Sequence, residues 1–292
     1  MTELPERLGS VGLWISPPPG DQAADVAVRA EALGVKALWV GGGNADPEAL
    51  ARRAAMLAAT DSLVVATGIV NIWAWAPDAL HAEAAAIEDA YPGRFVLGLG
   101  VSHESLVNKL GRTYERPLAA MRAFLDDLDA VTATKKKTPP RVLAALGPKM
   151  LALARDRSAG AHPYLVTPDH TRAARQVLGS GPLLAPEQAV VVTDDPDGAG
   201  HKIARHYLAT YLQLPNYLSN LRQYGFDDGD FAGGGSDRLV DALVPSGAPA
   251  DIAERVRAHL AAGADHVCVQ PLGENRAVDL EGFAAVLGHI AG

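Results

Sequence analysis

LVVATGIVNIWAWAPDALHAEAAAIEDAYPGRFVLGLGVSH, residues 63–103, is the stretch whose reading decides the fold. Leu63 to Val70 is β-branched and apolar without alternation, the pattern of a strand buried on both faces of a parallel sheet. Pro77 opens a helix whose Ala79–Ile87 run is mostly small and apolar, and the turn Tyr91-Pro92-Gly93-Arg94 closes it. Phe95 to Val101 is a second buried strand, so strand, crossover helix and parallel strand make one βαβ unit. Its polar residues, Asn71 and Trp73 after one strand and Ser102 and His103 after the other, stand where parallel α/β folds place their chemistry.

The same alternation extends in both directions. Val11–Ile15 and Ala37–Val40 read as strands before the unit; Arg141–Leu146, Gly160–Val166, Leu183–Thr193 and His266–Leu272 read as strands after it. Eight strand signals alternating with helices predict an α/β fold of the (β/α)8 TIM-barrel class, one domain over residues 1–292, rather than a two-domain Rossmann arrangement. Asp21 reads as the cap of the first crossover helix and Asp46-Pro47 as the start of the second. Asp194-Asp195-Pro196 caps a helical stretch from Ala199 to about Tyr224, part of an insertion after strand seven at about 199–244 that covers the barrel mouth or makes an oligomer contact. Gly233–Gly235 is the expected mobile segment. Thr132 to Pro140 is a basic link, with Lys135–Lys137 in solvent.

With 292 residues and 48% hydrophobic content the chain can bury a large core. A formal charge of -8 argues against nucleic acid or an anionic membrane surface as partner. The single cysteine, Cys268, sits in an apolar run and reads as a buried strand thiol, consistent with a reducing compartment. No leader pattern opens the chain and no apolar run reaches the roughly 18 residues of a membrane span. A cytoplasmic protein acting on a small-molecule substrate, with a homodimer as its assembly, is the expectation.

Residues just past the carboxyl ends of the strands face the site of a barrel enzyme. Here they are Trp14 and Ser16, Gly42 to Asn44, Asn71 and Trp73, Ser102 and His103, Gly147 to Lys149, His162 to Tyr164, Glu187 and Gln188, and Gln270. Amides, aromatics and glycine dominate, and carboxylates are scarce. A metal-dependent hydrolase needs several His and Asp ligands converging from strand ends, and the first strand has none, so no metal site is expected. A Schiff-base aldolase needs a lysine inside a strand, and a glycosidase needs two carboxylates across the pocket where only Glu187 qualifies. Gly98-Leu-Gly-Val-Ser-His103 has histidine where a dinucleotide fingerprint needs its third glycine.

The set suits a large planar cofactor held by backbone amides and small residues. Gly147-Pro148-Lys149 at a helix start is a candidate anion cradle, with a tight strand-to-helix turn as the alternative. Gly68 inside the strand run Thr67–Val70 marks close approach of a ligand or a strained peptide. At these residues the chain resembles the bacterial luciferase-like superfamily of flavin and deazaflavin barrel enzymes, and within it the F420-dependent oxidoreductase branch. The matching phrases are LWVGGGNADPEAL, LVVATGIVNIWAWAP, GRFVLGLGVSH, RVLAALGPKML, GAHPYLVTPDHT, LLAPEQAVVV, LPNYLSNLRQYGF and AGADHVCVQPL, in the expected order over nearly the whole chain.

The resemblance implies a metal-free barrel that binds coenzyme F420, with FMN as the alternative, at the carboxyl ends of its strands. It implies a non-prolyl cis bond at Gly68-Ile69 that bulges against the central ring of the deazaflavin, with Val70 and Asn71 beside it. Gly100, Val101 and Ser102 then lie near the cofactor, and Gly147, Pro148 and Lys149 near its ribityl phosphate tail. The chain departs from the sugar-phosphate dehydrogenases of the superfamily, which carry a histidine and a tryptophan where Gly41-Gly-Gly-Asn44 stands here and a glutamate at about His103. The substrate and the acid-base group therefore do not transfer.

The expected reaction is hydride transfer between C5 of the deazaflavin and a small organic substrate, with a histidine moving the accompanying proton. His103, immediately after a buried strand, is the first choice and His162 the second; each has a bland alternative as a hydrogen-bonded packing residue. His81, His206 and His259 read as surface or packing residues. Trp14, Asn44 and Trp73 are the candidate walls of the substrate pocket. An FMN-dependent monooxygenase on the same barrel is the first rival reading, and a non-catalytic flavin-binding barrel the second.

Overall fold

The computed structural model of the chain describes residues 3–42, 48–133 and 138–290, without the side chains of Asp21 and Arg276. Eight strand positions follow one another: β1 Val11–Ile15, β2 Ala37–Val40, β3 Val64–Thr67 continued after a break as Val70–Asn71, β4 Phe95–Gly100, β5 Arg141–Leu143, β6 Gly160–Ala161, β7 Leu183–Leu184 continued as Glu187–Val192, and β8 Val267–Pro271. Neighbours pair in parallel from β1 through β7, and β8 pairs with both β1 and the second half of β7. Pro186 interrupts β7 because it has no N–H to give the ladder. The pairing nevertheless passes through the break: the Ala185 and Glu187 amides donate to the Ala161 and Pro163 carbonyls, and the Cys268 amide donates to the Pro186 carbonyl, each at 2.9 Å. The sheet thereby closes on itself as the (β/α)8 barrel that the strand count calls for.

Two layers of apolar packing follow from strand alternation. Leu13, Ile15, Leu38, Val40, Val65, Leu97, Leu99 and Val269 belong to the layer packed against the helices. Trp14, Ala37, Trp39, Val64, Ala66, Val96, Val142, Ala185 and Cys268 fill the barrel itself, large rings from two strands set among small residues from the others. Cys268 is free and buried, as its apolar run implied. The short helix Leu4–Leu8 closes the amino-terminal end, with Leu8 fully buried.

The break in β3 is a built feature. Gly68 still donates its amide to the Val40 carbonyl at 2.7 Å, and pairing resumes only at Val70. The Ile69 carbonyl in between turns toward β2 so closely that a Cβ on Gly42 would stand 1.4 Å from its oxygen. No peptide bond among the described residues is cis, so the expected cis bond at Gly68-Ile69 is corrected: the bulge is made with a trans peptide.

Other expectations need adjustment. The first crossover helix, Ala23–Ala32, starts behind a 3-10 turn at Gly20–Gln22, which puts Gln22 rather than Asp21 at its N-cap position. Asn44, the Asp46-Pro47 helix start and Lys135–Lys137 lie outside the described residues. Asp195 does cap, its carboxylate accepting the Gly198 and Ala199 amides at 3.2 and 2.9 Å. The long helix expected from Ala199 to Tyr224 is a π-helical turn, Pro196–Gly200, followed by separate helices His201–Tyr211 and Pro215–Gln223; Pro215 cannot continue the ladder of the first. Gly233–Gly235 is a tight turn with φ of 61°, 86° and 111°, pinned where the Gly235 carbonyl accepts Arg205 Nε at 3.1 Å. It lines neither cavity described below. No helix among the described residues is long and apolar enough to cross a membrane.

Candidate active site

Two indole–imidazole pairs form the floor beneath the barrel mouth. Trp14 Nε1 donates to His162 Nε2 at 3.3 Å while His162 Nδ1 donates to the Ala185 carbonyl at 2.6 Å. Trp39 Nε1 likewise donates to His266 Nε2 at 3.0 Å, and His266 Nδ1 donates to the Gly9 carbonyl at 2.7 Å. Trp39 stacks on His162 with ring centroids 4.6 Å apart. Only a neutral imidazole can accept from an indole and donate to a carbonyl at once. Burial accordingly pulls both histidines down to about 4, against the opposing pull of the carbonyl bonds. The sequence offers His162 as a proton carrier; the structure spends both its nitrogens on the floor, and the residue is 2% exposed. Trp14, read as a pocket wall, belongs to the same floor.

Above the floor a tyrosine cluster crosses the mouth. Tyr164 follows β6, Tyr207 and Tyr211 come from helix His201–Tyr211, and Tyr217 comes from helix Pro215–Gln223. Ring centroids lie 4.9 Å apart for Tyr207 and Tyr211, 5.4 Å for Tyr164 and Tyr211, and 5.6 Å for Tyr211 and Tyr217. The Tyr207 hydroxyl donates to that of Tyr164 at 2.8 Å, and Tyr164 donates to Gln270 Oε1 at 2.9 Å. Glu187, at the start of the second half of β7, is 1% exposed; its Oε2 accepts the Leu165 amide at 3.2 Å and its Oε1 has no partner among the described residues. Burial pushes this carboxyl up to about 8, against the lowering effect of the Leu165 amide and the Tyr207 hydroxyl.

Two cavities flank the cluster. The larger, about 630 Å³, is lined by Ser16 and Gln270 at the ends of β1 and β8, by Lys202, His206, Tyr207 and Tyr211 of the covering helix, and by the 272–275 turn. The smaller, about 380 Å³, lies over the end of β4 and is lined by His103, Glu104, Tyr114, Leu214 and Asn216 among others. Ser102 takes a left-handed φ of 59° there, and its carbonyl accepts the Tyr114 hydroxyl at 3.4 Å. His103 is half-buried with its ring 5.5 Å from that of Tyr217. Burial lowers its pKa, a hydrogen bond with the Asn216 side chain opposes that, and Nδ1 is buried without a partner among the described residues. His206, read from the sequence as a surface or packing residue, lines the larger cavity. The one signal for it is the spacing Lys202, His206, Thr210, a single stripe along the helix.

The residues read as cofactor-binding fall on adjoining strand ends. Asn71 sits just past the Gly68-Ile69 bulge, pairs with Gly100, and is 6% exposed. Its Oδ1 accepts the Trp73 amide at 3.1 Å, while Nδ2 is buried without a partner among the described residues. Trp73, the other expected pocket wall, has its indole N–H tied to the Val101 carbonyl at 2.9 Å, lacing the loop after β3 to the end of β4. One strand further, Gly147 precedes helix Pro148–Arg157 with φ -85° and no side chain capping it. A Cβ on Gly147 would meet nothing within 4 Å, so this helix terminus opens on free space beside the exposed Lys149.

Residues 7–266 match the luciferase-like monooxygenase family. The chain is 25% identical over 297 residues to the 5,10-methylenetetrahydromethanopterin reductase of Methanolobus tindarius, covering 87% of this chain and 91% of that one. Its fold is similar to the coenzyme F420 dependent tetrahydromethanopterin reductase of Methanopyrus kandleri, with TM-score 0.75, 16% identity and coverage of 96% and 98% of the two chains. It is also similar to the FMN-bound oxygenating constituent of 3,6-diketocamphane monooxygenase from Pseudomonas putida, with TM-score 0.72, 15% identity and 97% of each chain covered. With the barrel, the bulged third strand and a match over most of its length, the chain is an enzyme of the luciferase-like monooxygenase family.

Proposed function

We propose that the chain is an oxidoreductase that uses coenzyme F420 and exchanges a hydride with a small organic substrate at the barrel mouth. The observation that carries this reading is the β3 bulge with Asn71 beside it. A buried amide donor without a partner costs about 1–3 kcal/mol, and Asn71 Nδ2 is such a donor; a ring carbonyl of the coenzyme would satisfy it. The likeness to an F420-dependent reductase over nearly the whole chain supports the same choice.

Gly68, Ile69, Val70 and Asn71 on β3 and Gly100, Val101 and Ser102 at the end of β4 would hold the ring system. Gly147, Pro148 and Lys149 would hold the anionic tail, since the free N–H groups and dipole of a helix start favour negative charge. When bound, the deazaflavin supplies hydride exchange at C5 together with one ring proton. The floor of Trp14, Trp39, His162 and His266 excludes water from below and keeps the barrel rigid under the site. His103 is neutral near pH 7 because burial lowers its pKa, and its imidazole would carry a proton for a substrate in the smaller cavity.

FMN-dependent oxygen activation is the second reading, supported by the FMN-bound monooxygenase of similar fold and by a helix start at Gly147 that would suit either anionic tail. Anaerobic assays that follow deazaflavin absorbance with secondary alcohols, enones and imines as partners separate the two. Turnover with F420 without oxygen is the expected result. Substrate oxygenation that requires reduced FMN and oxygen, with no anaerobic F420 turnover, would overturn it.

A further inference from the structure

The larger cavity has its own candidate proton supply, distinct from His103 on the far side of the tyrosine cluster. Lys202 and His206 stand exposed at its rim, whereas its inner wall is Tyr207, Tyr211 and Gln270. Behind that wall is Glu187, buried, with one carboxyl oxygen on the Leu165 amide and the other unpartnered among the described residues. The Tyr207 hydroxyl approaches this carboxyl and donates to Tyr164 at 2.8 Å, and the Tyr164 hydroxyl meets that of Tyr211 at 3.0 Å. Hydroxyls at hydrogen-bond distance from one another therefore lead from Tyr207, beside the buried acid, to a half-buried hydroxyl on the cavity wall.

We propose that Glu187, Tyr207, Tyr164 and Tyr211 form a proton store for the larger cavity, with Tyr211 as the hydroxyl that meets the substrate and Glu187 as the acid behind it. This rests on the hydride-transfer reading, with the reduced deazaflavin as reductant and a carbonyl or imine as substrate. The C5–H bond of the reduced deazaflavin would break as its electron pair forms the C–H bond at the substrate carbon, its ring N–H proton would pass to solvent as the ring is oxidised, and the π pair of C=O or C=N moves onto the heteroatom. That heteroatom takes the Tyr211 proton as the O–H bond breaks, and Tyr211 is reprotonated through Tyr164 and Tyr207 from Glu187. Solvent in the cavity returns the proton to the carboxylate, and the oxidation direction runs the same steps backwards.

The surroundings keep Glu187 protonated. The titratable groups that face it are Tyr207, Tyr164 and Tyr217 from the mouth and Cys268 from β8; burial pushes all four well above their ordinary values, so they carry no charge near pH 7. Among the described residues no cation opposes the cost of burying the carboxylate, and the carboxyl rises to about 8. A purely structural role is also available to it, since Leu165 holds a left-handed φ of 58° and gives Glu187 its amide. Glu187→Gln separates the roles, because the amide oxygen still accepts from Leu165 while the acidic proton is gone.

Infrared spectroscopy of the cofactor-free protein tests the store directly. A protonated buried carboxyl band at pH 7, bleaching as pH rises through about 8 and absent in Glu187→Gln, is the expected result. No such band, or one that persists in Glu187→Gln, overturns the proposal. In the F420-loaded enzyme, Glu187→Gln should lower kcat about 100-fold and remove the alkaline limb of its pH profile with F420 affinity unchanged. Tyr211→Phe should lower kcat while leaving the infrared band in place; full activity in both variants overturns the proposal. Loss of F420 binding by the unaltered protein would count against the coenzyme reading instead, and the infrared result still decides on the acid.

Discussion

Gly98→Ala should destabilise the protein by on the order of 4 kcal/mol or more and remove cofactor binding with it. Gly98 lies in β4 with its amide donating to Thr67 Oγ1 at 2.6 Å and its carbonyl accepting from the same hydroxyl at 3.1 Å. An added Cβ would stand 2.2 Å from the Thr67 carbonyl oxygen and 2.7 Å from that of Gly68. Both are backbone atoms, so no rotamer change relieves the overlap and β3 must move away from β4. The displaced segment is the one that carries the Gly68-Ile69 bulge. Gly147→Ala is the matching control, with φ -85° and open space around the site, so the fold should be unchanged or slightly stabilised. Thermal melting decides: a fall of roughly 10 °C is expected for Gly98→Ala, and a shift under about 2 °C would contradict the packing described.

Stability should also fall steeply on acidification from pH 6.5. Burial holds His162, His259 and His266 down to about 4, 3 and 4, so all three are neutral in the fold. His259 shows why: Thr171 Oγ1 sits 2.8 Å from Nδ1 and Gln188 Oε1 sits 2.9 Å from Nε2, an arrangement suited to one accepting and one donating nitrogen. Below pH 6.5 the unfolded chain binds a proton at each histidine and the folded chain does not until near pH 4. Stability is therefore lost as pH falls through that window, at about 1.4 kcal/mol per unit for each histidine. Glu187 works in the opposite sense. Its folded pKa of about 8 lies above the ordinary 4.5, so between those values the folded state holds a proton the unfolded state lacks, and stability rises as pH falls. Three histidines against one carboxyl leave a net uptake of at least two protons on unfolding, to which His103 and His170, also lowered by burial, add in the same direction. The loss is then on the order of 3 kcal/mol per unit, a large share of an ordinary domain's stability across the window. Urea melts at pH 7, 6 and 5 measure it, and a stability independent of pH over that range would contradict the neutral-histidine floor.

The eight strands were legible because buried parallel strands leave continuous apolar runs, and each was found within a few residues of its place. Pro186 did not spoil the seventh, because the barrel keeps the ladder through its flanking groups. The floor was not legible: His162 looks like a strand-end histidine until Trp14, 148 residues away in sequence, is seen donating to it. The tyrosine cluster was missed for the same reason. Tyr207 and Tyr211 are four residues apart on one helix, but that spacing says only that they share a face; which face meets the barrel is decided by packing. Glu187 stood out as the one carboxylate near a strand end, yet its protonation depends on burial among neutral rings from other elements. By contrast, the positions of Asn71 and Gly147 past strand ends followed from the apolar runs alone, whereas Gly100 entered through the family resemblance.

Titrating F420 and FMN separately into the purified protein, with Asn71→Leu alongside, tests the choice of coenzyme most directly. Saturable binding of F420 in preference to FMN, weakened about tenfold by Asn71→Leu as expected for one buried hydrogen bond, is the predicted result. Tighter binding of FMN than of F420, or binding of neither, would contradict it.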